Sequence, residues 1–226
     1  ELDKSLEKLG VDCVDLFYVH RRQADMPIEE VAGHMNVLKQ KGKIKAIGLS
    51  EIAPYTLRRA ATEAQIDAVQ NEYSLATRLP EMGLIQACAE VGASLVAFSP
   101  VGRALLTDDP IPLERIPELA FLKVNPRFIE PNYSLNLAAT DPLRAYAAEL
   151  GVPTAALAIA WVLAQGEHII AIPGTRSTGH FNELVTGANL DLTAEQLAKI
   201  EKILPVGWAY GDRYSVGQNV GPERYC

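Results

Sequence analysis

From residue 11 onward the chain alternates short, almost continuously apolar runs with longer segments in which apolar residues recur every three to four positions. The short runs are residues 14–20, 44–50, 68–73, 95–100 and 169–173. Strands covered on both faces have this unbroken apolar character, and strands separated by helical segments belong to repeated βα units around a parallel sheet. The pattern predicts helices between them. One runs over 27–40, with Pro27 in its first turn, Val31, Met35 and Leu38 on one face, and Gly42 stopping it. Pro54 starts a second, with Leu57, Ala60, Ala61 and Ala64 inward, and a third spans 80–91, ended by Gly92. Asp141 and Pro142 cap a helix that ends at Gly151, and Pro153 opens an Ala-rich, buried helix to about Ala164. A short helix near Phe181 and another from Thr193 follow, the latter with Thr193 and Gln196 as a capping box.

Between 106 and 140 the order breaks down. Pro110, Pro112, Pro117, Pro126 and Pro131 make a long irregular excursion, which in a compact domain is usually a functional loop, here the rim of an active site. The tail after Pro205 is aromatic and Gly-rich, with Trp208, Tyr210, Tyr214 and Tyr225. It either shapes a substrate pocket or closes the fold.

The 226 residues suit one large α/β domain. A formal charge of −7 without a basic stripe argues against nucleic acid and anionic membrane as partners, so an anionic ligand needs a local pocket. No apolar stretch approaches the ~20 residues of a membrane helix. Cys13, Cys88 and Cys226 have no paired spacing and read as free thiols in a reducing, cytoplasmic setting. No metal is expected, and the oligomeric state is left open.

In a parallel barrel the C-terminal strand ends form the active face. His20 ends the first run, and a neutral imidazole there is able to donate to a carbonyl oxygen that gains charge. Ser50 and Glu51 end the second run, and Gln70 with Asn71 lies near the end of the third. Hydroxyls and amides at such positions suit a carboxamide, although each residue alone also reads as an ordinary loop residue. Phe98 closes the fourth run, either as a core ring or as a stacking face for a flat heterocycle. The fifth run leads into Pro173-Gly174-Thr175-Arg176-Ser177 and a helix start, a place where backbone N–H groups and a guanidinium attract phosphate.

Taken in order, these segments resemble the aldo-keto reductase family. Residues 9–21 (LGVDCVDLFYVHR) look like its fourth-strand signature, 42–50 (GKIKAIGLS) its fifth, 69–75 (VQNEYSL) its sixth, 97–103 (AFSPVGR) its seventh, and 172–176 (IPGTR) its cofactor-phosphate loop. The resemblance implies a (β/α)8 TIM barrel that the chain enters just before strand 4, with 1–226 forming one partial domain of strands 4–8, a C-terminal helix and tail. It further implies NADPH-dependent reduction of aldehydes or ketones to alcohols, with NADPH favoured over NADH. By this likeness His20, with a tyrosine, polarises the carbonyl. Ser50 and Gln70 match the residues that hold the nicotinamide carboxamide, Glu51 is a further cofactor-binding position, and Phe98 matches the residue that stacks on the nicotinamide. Ser99, Pro100, Val101, Gly102 and Arg103 line the pyrophosphate, while Gly174, Thr175, Arg176, His180 and Glu183 hold the adenosine end and its 2′-phosphate.

There are departures from the family pattern. Glu51 stands where many relatives have Asn, Phe98 where Tyr is commoner, His180 where Arg is frequent and Leu184 where Asn is. The family's Asp, Tyr and Lys have no counterpart here, so the N-terminal third is expected to be missing and the chain alone a poor reductase. The runs at 14–20 and 169–173 would then be open sheet edges. A non-catalytic redox-sensing subunit that binds NADP(H) is the other function the likeness allows, and an unrelated phosphate-binding barrel is a third reading.

Overall fold

The structure is a computed structural model that describes every residue of the chain except Ala24 and Cys226. The backbone divides into two compact units, one made of residues 1–71, 80–96 and 221–226, the other of 72–79 and 97–220.

The first unit opens with α1 (Leu2–Leu9), which buries Leu2 and Leu6 and ends on Gly10 in the left-handed conformation that a residue without Cβ adopts at no cost. Then follow β1 (Val14–Val19), α2 (Ile28–Gln40), β2 (Ile44–Ser50), α3 (Pro54–Ala60), β3 (Ala68–Glu72), α4 (Leu84–Val91) and the start of β4 (Ser94–Phe98). β1 pairs with β2 and β2 with β3, both parallel, with Val14 opposite Ile44 and Ser50 opposite Gln70. Strand order within the sheet is chain order. Buried Ile44, Ile47, Leu49, Ile66 and Val69 form the interior, with Ile28, Ala32 and Leu57 packing from the helices. Gly48 is required where it stands, because a Cβ there would lie 2.3 Å from the Tyr18 ring.

The second unit contains the ends of β3 and β4, then α5 (Asn132–Glu149), α6 (Thr154–Leu163), β5 (Ile169–Ile172), α7 (Thr178–Ala188) and α8 (Ala194–Ile203). α6 is apolar on all sides and almost wholly buried, as an all-round hydrophobic helix must be. α8 carries the expected capping box, Gln196 N donating to Thr193 Oγ1 and Thr193 N to Gln196 Oε1.

Every expected strand is present within a residue or two of its predicted ends. Three helix readings need correction. The segment 80–91 is a 3-10 turn (Leu79–Glu81) followed by a break at Gly83, φ 108°, and only then α4. Asp141 and Pro142 do not start a helix; they lie inside α5, which begins at Asn132. Near the proline, Thr140 Oγ1 donates to the carbonyls of Asn136 and Leu137, and Arg144 Nη1 also reaches Leu137 O. The helix near Phe181 is not short: α7 has 11 residues.

The excursion after residue 106 is not structureless either. It forms 3-10 segments Leu113–Glu118 and Leu122–Val124 and packs a small core of Leu105, Ile116, Leu122, Phe128 and Tyr133. Among the described residues no single helix is long and apolar enough to cross a membrane.

Candidate functional site

In the first unit, His20 follows the end of β1 and is exposed. Arg21 Nη1 donates to the His20 carbonyl at 2.6 Å and to Ser50 Oγ at 2.9 Å, while Ser50 Oγ donates to Gln70 O at 3.0 Å. The strand tips that hold Ser50 and Gln70 are therefore stitched side by side. Since the Ser50 proton goes to Gln70 O and one lone pair to Arg21, one lone pair remains to accept an amide N–H. The Gln70 side chain bonds Tyr18, whose phenol burial pushes up against the pull of that hydrogen bond. Glu51 is buried with φ 55°, a conformation a non-glycine residue rarely takes.

The C-terminal segment crosses this group. Glu223 N donates to Glu51 O at 2.8 Å, and its carboxylate accepts from Ala53 N at 2.7 Å and pairs with Arg22 at 2.7 Å. Asn71 Nδ2 donates to Tyr225 OH at 2.9 Å and to Ile52 O at 3.3 Å, leaving buried Oδ1 without a partner. Arg22, Glu223 and the Asn71–Tyr225 contact were not anticipated from the sequence. The partners are about 150 to 200 residues apart along the chain, and no local pattern marks them.

The second unit contains a cavity of about 630 Å³. Of Phe98, Ser99, Pro100, Val101, Gly102, Arg103, Gly174, Thr175, Arg176, His180 and Glu183, all but Gly102 and Arg176 line it. Two segments more than 60 residues apart in sequence thus converge on one space, through the turn after β4 and the loop and first turns of α7. Gly102 is buried behind the wall, where a Cβ would meet Leu106 at 3.4 Å, and Arg176 is exposed outside it. Ser177 caps α7, its hydroxyl accepting from His180 N. The excursion supplies Thr107, Asp108, Asp109, Ile111 and Leu122 to the wall, as expected of a rim. Asp108 also accepts from Thr154 N at 2.9 Å and from the Thr154 hydroxyl, capping α6, whose own N-cap is proline.

The turn after β4 is strained. Ser99, Arg103 and Ala104 have φ of 52°, 56° and 73° without being glycine. Such conformations cost of order 1–3 kcal/mol each and cluster at binding sites, where surrounding contacts enforce them. Part of that enforcement is Glu72, a residue the sequence reading passed over. It is 1% exposed and receives Arg103 Nη1 and Nη2 on its two oxygens, each at 2.9 Å. Burial raises its pKa, but the Arg103, Arg213 and Arg127 guanidiniums outweigh this and hold it below 4.5. The folded value being depressed, the stability Glu72 contributes is present above the unfolded pKa and is lost as pH falls through the folded one.

Burial pushes the Cys88 thiol up to about 12, so it is inert as a thiolate, while Cys13 is half-buried and Cys226 lies outside the described residues. Among the described residues no group of three or more His, Cys, Asp or Glu is placed to hold a metal.

Comparison with known proteins gives the family and the fold. Residues 1–205 match the model of the Aldo/keto reductase family. The chain is 36% identical over 219 residues to "Aldo-keto reductase yakc [NADP(+)]" of Schizosaccharomyces pombe, covering 96% of this chain and 64% of that protein. It is 36% identical over 215 residues to "Probable aldo-keto reductase 1" of Glycine max, covering 95% and 62%. It therefore spans a little under two thirds of the length of these relatives. Among solved structures, glycerol dehydrogenase AKR11B4 from Gluconobacter oxydans superposes with TM-score 0.77 at 29% identity over 90% of this chain and 62% of that one. A thermostable aldo-keto reductase, Tm1743, gives TM-score 0.70 at 25% identity, over 89% and 64%. The expected α/β class with a parallel sheet, of the (β/α)8 barrel kind, is thereby borne out.

Proposed function

The chain belongs to the aldo/keto reductase family, and from that premise we propose that the whole protein uses NADPH to reduce aldehydes or ketones to alcohols by hydride transfer. The observation that carries this reading is the cavity of the second unit, walled by nearly all the residues assigned to the pyrophosphate and adenosine. The apolar face of Phe98 and the wall residues Val101, Ala155 and Leu184 suit the flat and apolar parts of a nucleotide, and the N-terminal turns of α7 suit its phosphates. The name of the fission yeast relative includes NADP(+), which supports the choice of cofactor.

In this reading Ser50 accepts from the nicotinamide carboxamide, Gln70 completes its recognition, and buried Glu51 offers an acceptor only. His20, exposed at the end of β1, donates to the substrate oxygen as hydride arrives and charge builds there. Bound NADPH supplies the hydride. His20 is the one acid–base group the family likeness assigns within this chain, so the chain by itself is expected to bind NADPH without appreciable turnover.

The test has two parts. NADPH titrated into the chain should quench tryptophan fluorescence with saturation, and absence of quenching removes the cofactor reading. Full-length protein should consume NADPH with 4-nitrobenzaldehyde, whereas binding without turnover would favour the redox-sensing subunit. Arg176→Ala provides a finer check. Arg176 is exposed, next to Thr175 of the cavity wall, and so is available to a 2′-phosphate. The variant is expected to weaken NADPH about tenfold, the scale of one charge-assisted contact, and NADH little. Equal loss for both in parallel titrations would mean that Arg176 does not read the 2′-phosphate.

A further inference from the structure

We propose that Glu72 is a positioning residue for the nucleotide: by clamping Arg103 it holds the turn 99–104 in the shape that forms the cavity wall. This deepens, and rests on, the reading of that cavity as the NADPH site.

Glu72 is the last residue of β3, and its neighbour Tyr73 donates its backbone N–H to Phe98 O, the last residue of β4. The carboxylate thus stands at the origin of the turn it holds. Its two oxygens take both Nη atoms of Arg103 at 2.9 Å, a fork-to-fork pair that fixes orientation as well as distance. The Arg103 guanidinium lies 4.9 Å from the Phe121 ring centroid and 5.5 Å from that of Tyr214. Thr77 Oγ1 donates to Glu72 Oε1 at 3.0 Å, Arg213 Nη1 lies 3.5 Å from Oε2, and Arg127 Nη1 lies 4.0 Å from Oε1. One buried carboxylate therefore gathers residues from the turn after β4, the excursion and the tail.

The clamp changes what Arg103 does. With both Nη atoms on Glu72, its charge is committed to the protein, so its service to the nucleotide is through the wall and the backbone it fixes. That backbone is left-handed at Arg103 and Ala104, and closed by Gly102 N donating to Ser99 O at 2.9 Å. A non-glycine residue stays there only while its surroundings over-determine it, and the fork supplies that constraint.

The experiment compares wild-type chain with Glu72→Gln, which removes the charge, and Glu72→Asp, which keeps the charge and withdraws it by one methylene. Three readouts are needed: far-UV circular dichroism for folding, NADPH affinity by titration, and the rate of tryptic cleavage after Arg103. The proposal expects folded variants that bind NADPH about tenfold or more weakly and that are cut faster after Arg103. If Glu72→Gln does not fold, Glu72→Asp alone decides. A folded variant that is cut faster yet binds NADPH like wild type overturns the positioning role and leaves a purely structural pair. A folded variant unchanged in both readouts overturns the clamp itself. Wild type that fails to bind NADPH overturns the cofactor reading and the positioning role with it, and the tryptic rates then report separately on the clamp.

Discussion

Trp161→Ala is expected to destabilise the protein by ~3–5 kcal/mol, the range for removing a large aromatic from a packed interior. Trp161 is 2% exposed in the middle of α6. The Tyr73 ring packs 5.5 Å away, tilted by 48°, and the Arg78 guanidinium lies 4.9 Å from the indole centroid. Arg78 is in turn paired with Glu201 of α8 at 2.5 Å. Truncation leaves a void no neighbour is able to fill and takes away the surface on which Arg78 rests. Urea unfolding followed by circular dichroism measures the loss, and a change below ~1 kcal/mol would show that the interior collapses around the gap. Because Trp161 does not line the cavity, the fraction that remains folded should bind NADPH as wild type does. Trp208 is the other of two tryptophans, so it alone reports binding in this variant.

Gly187→Ala should damage both fold and binding. Gly187 lies on α7 against α6, and a Cβ there would sit 2.5 Å from Ala156 O, 2.8 Å from Ala156 Cα and 2.9 Å from Ile159 Cβ. Two of these are backbone atoms of a buried helix and have nowhere to go, so α7 must shift. Overpacking of this kind costs about 1–3 kcal/mol. Unlike the Trp161 change, it also moves His180, Glu183 and Leu184, which α7 presents to the cavity. NADPH affinity should fall about tenfold together with the melting temperature, because α7 forms part of the wall. If calorimetry shows a lower melting temperature with unchanged affinity, α7 moves without disturbing the nucleotide wall.

The alternation of apolar runs and helical stretches located all five strands, because a strand covered on both faces has to be apolar almost throughout. Strand ends then marked where polar residues acquire significance, which is how His20, Ser50, Gln70 and the turn at Gly174 stood out. Prolines were misleading guides. Pro142 read as a helix start, yet the buried residues Tyr133, Asn136, Thr140, Leu143, Tyr146 and Ala147 continue a three-to-four spacing straight through it. The stripe outweighed the one hydrogen bond to Ala138 O that Pro142, without an N–H, is unable to make. Pro80 likewise marked only a 3-10 turn, since Gly83 broke the helix that was expected to follow.

Glu72 shows where one-dimensional reading stops. Between Asn71 and Tyr73 it looks like one more charged residue near a strand end, and only folding brings Arg103, Arg127 and Arg213 around it. The same holds for Glu223 on Arg22 and Tyr225 on Asn71. Periodicity, caps and strand tips are local, because they follow from backbone geometry within a few residues, and the linear chain therefore settles them. Which distant charges share a buried space depends on the packing of whole elements. There the cost of an unpaired buried carboxylate or guanidinium selects the partner, and that selection exists only in the folded molecule.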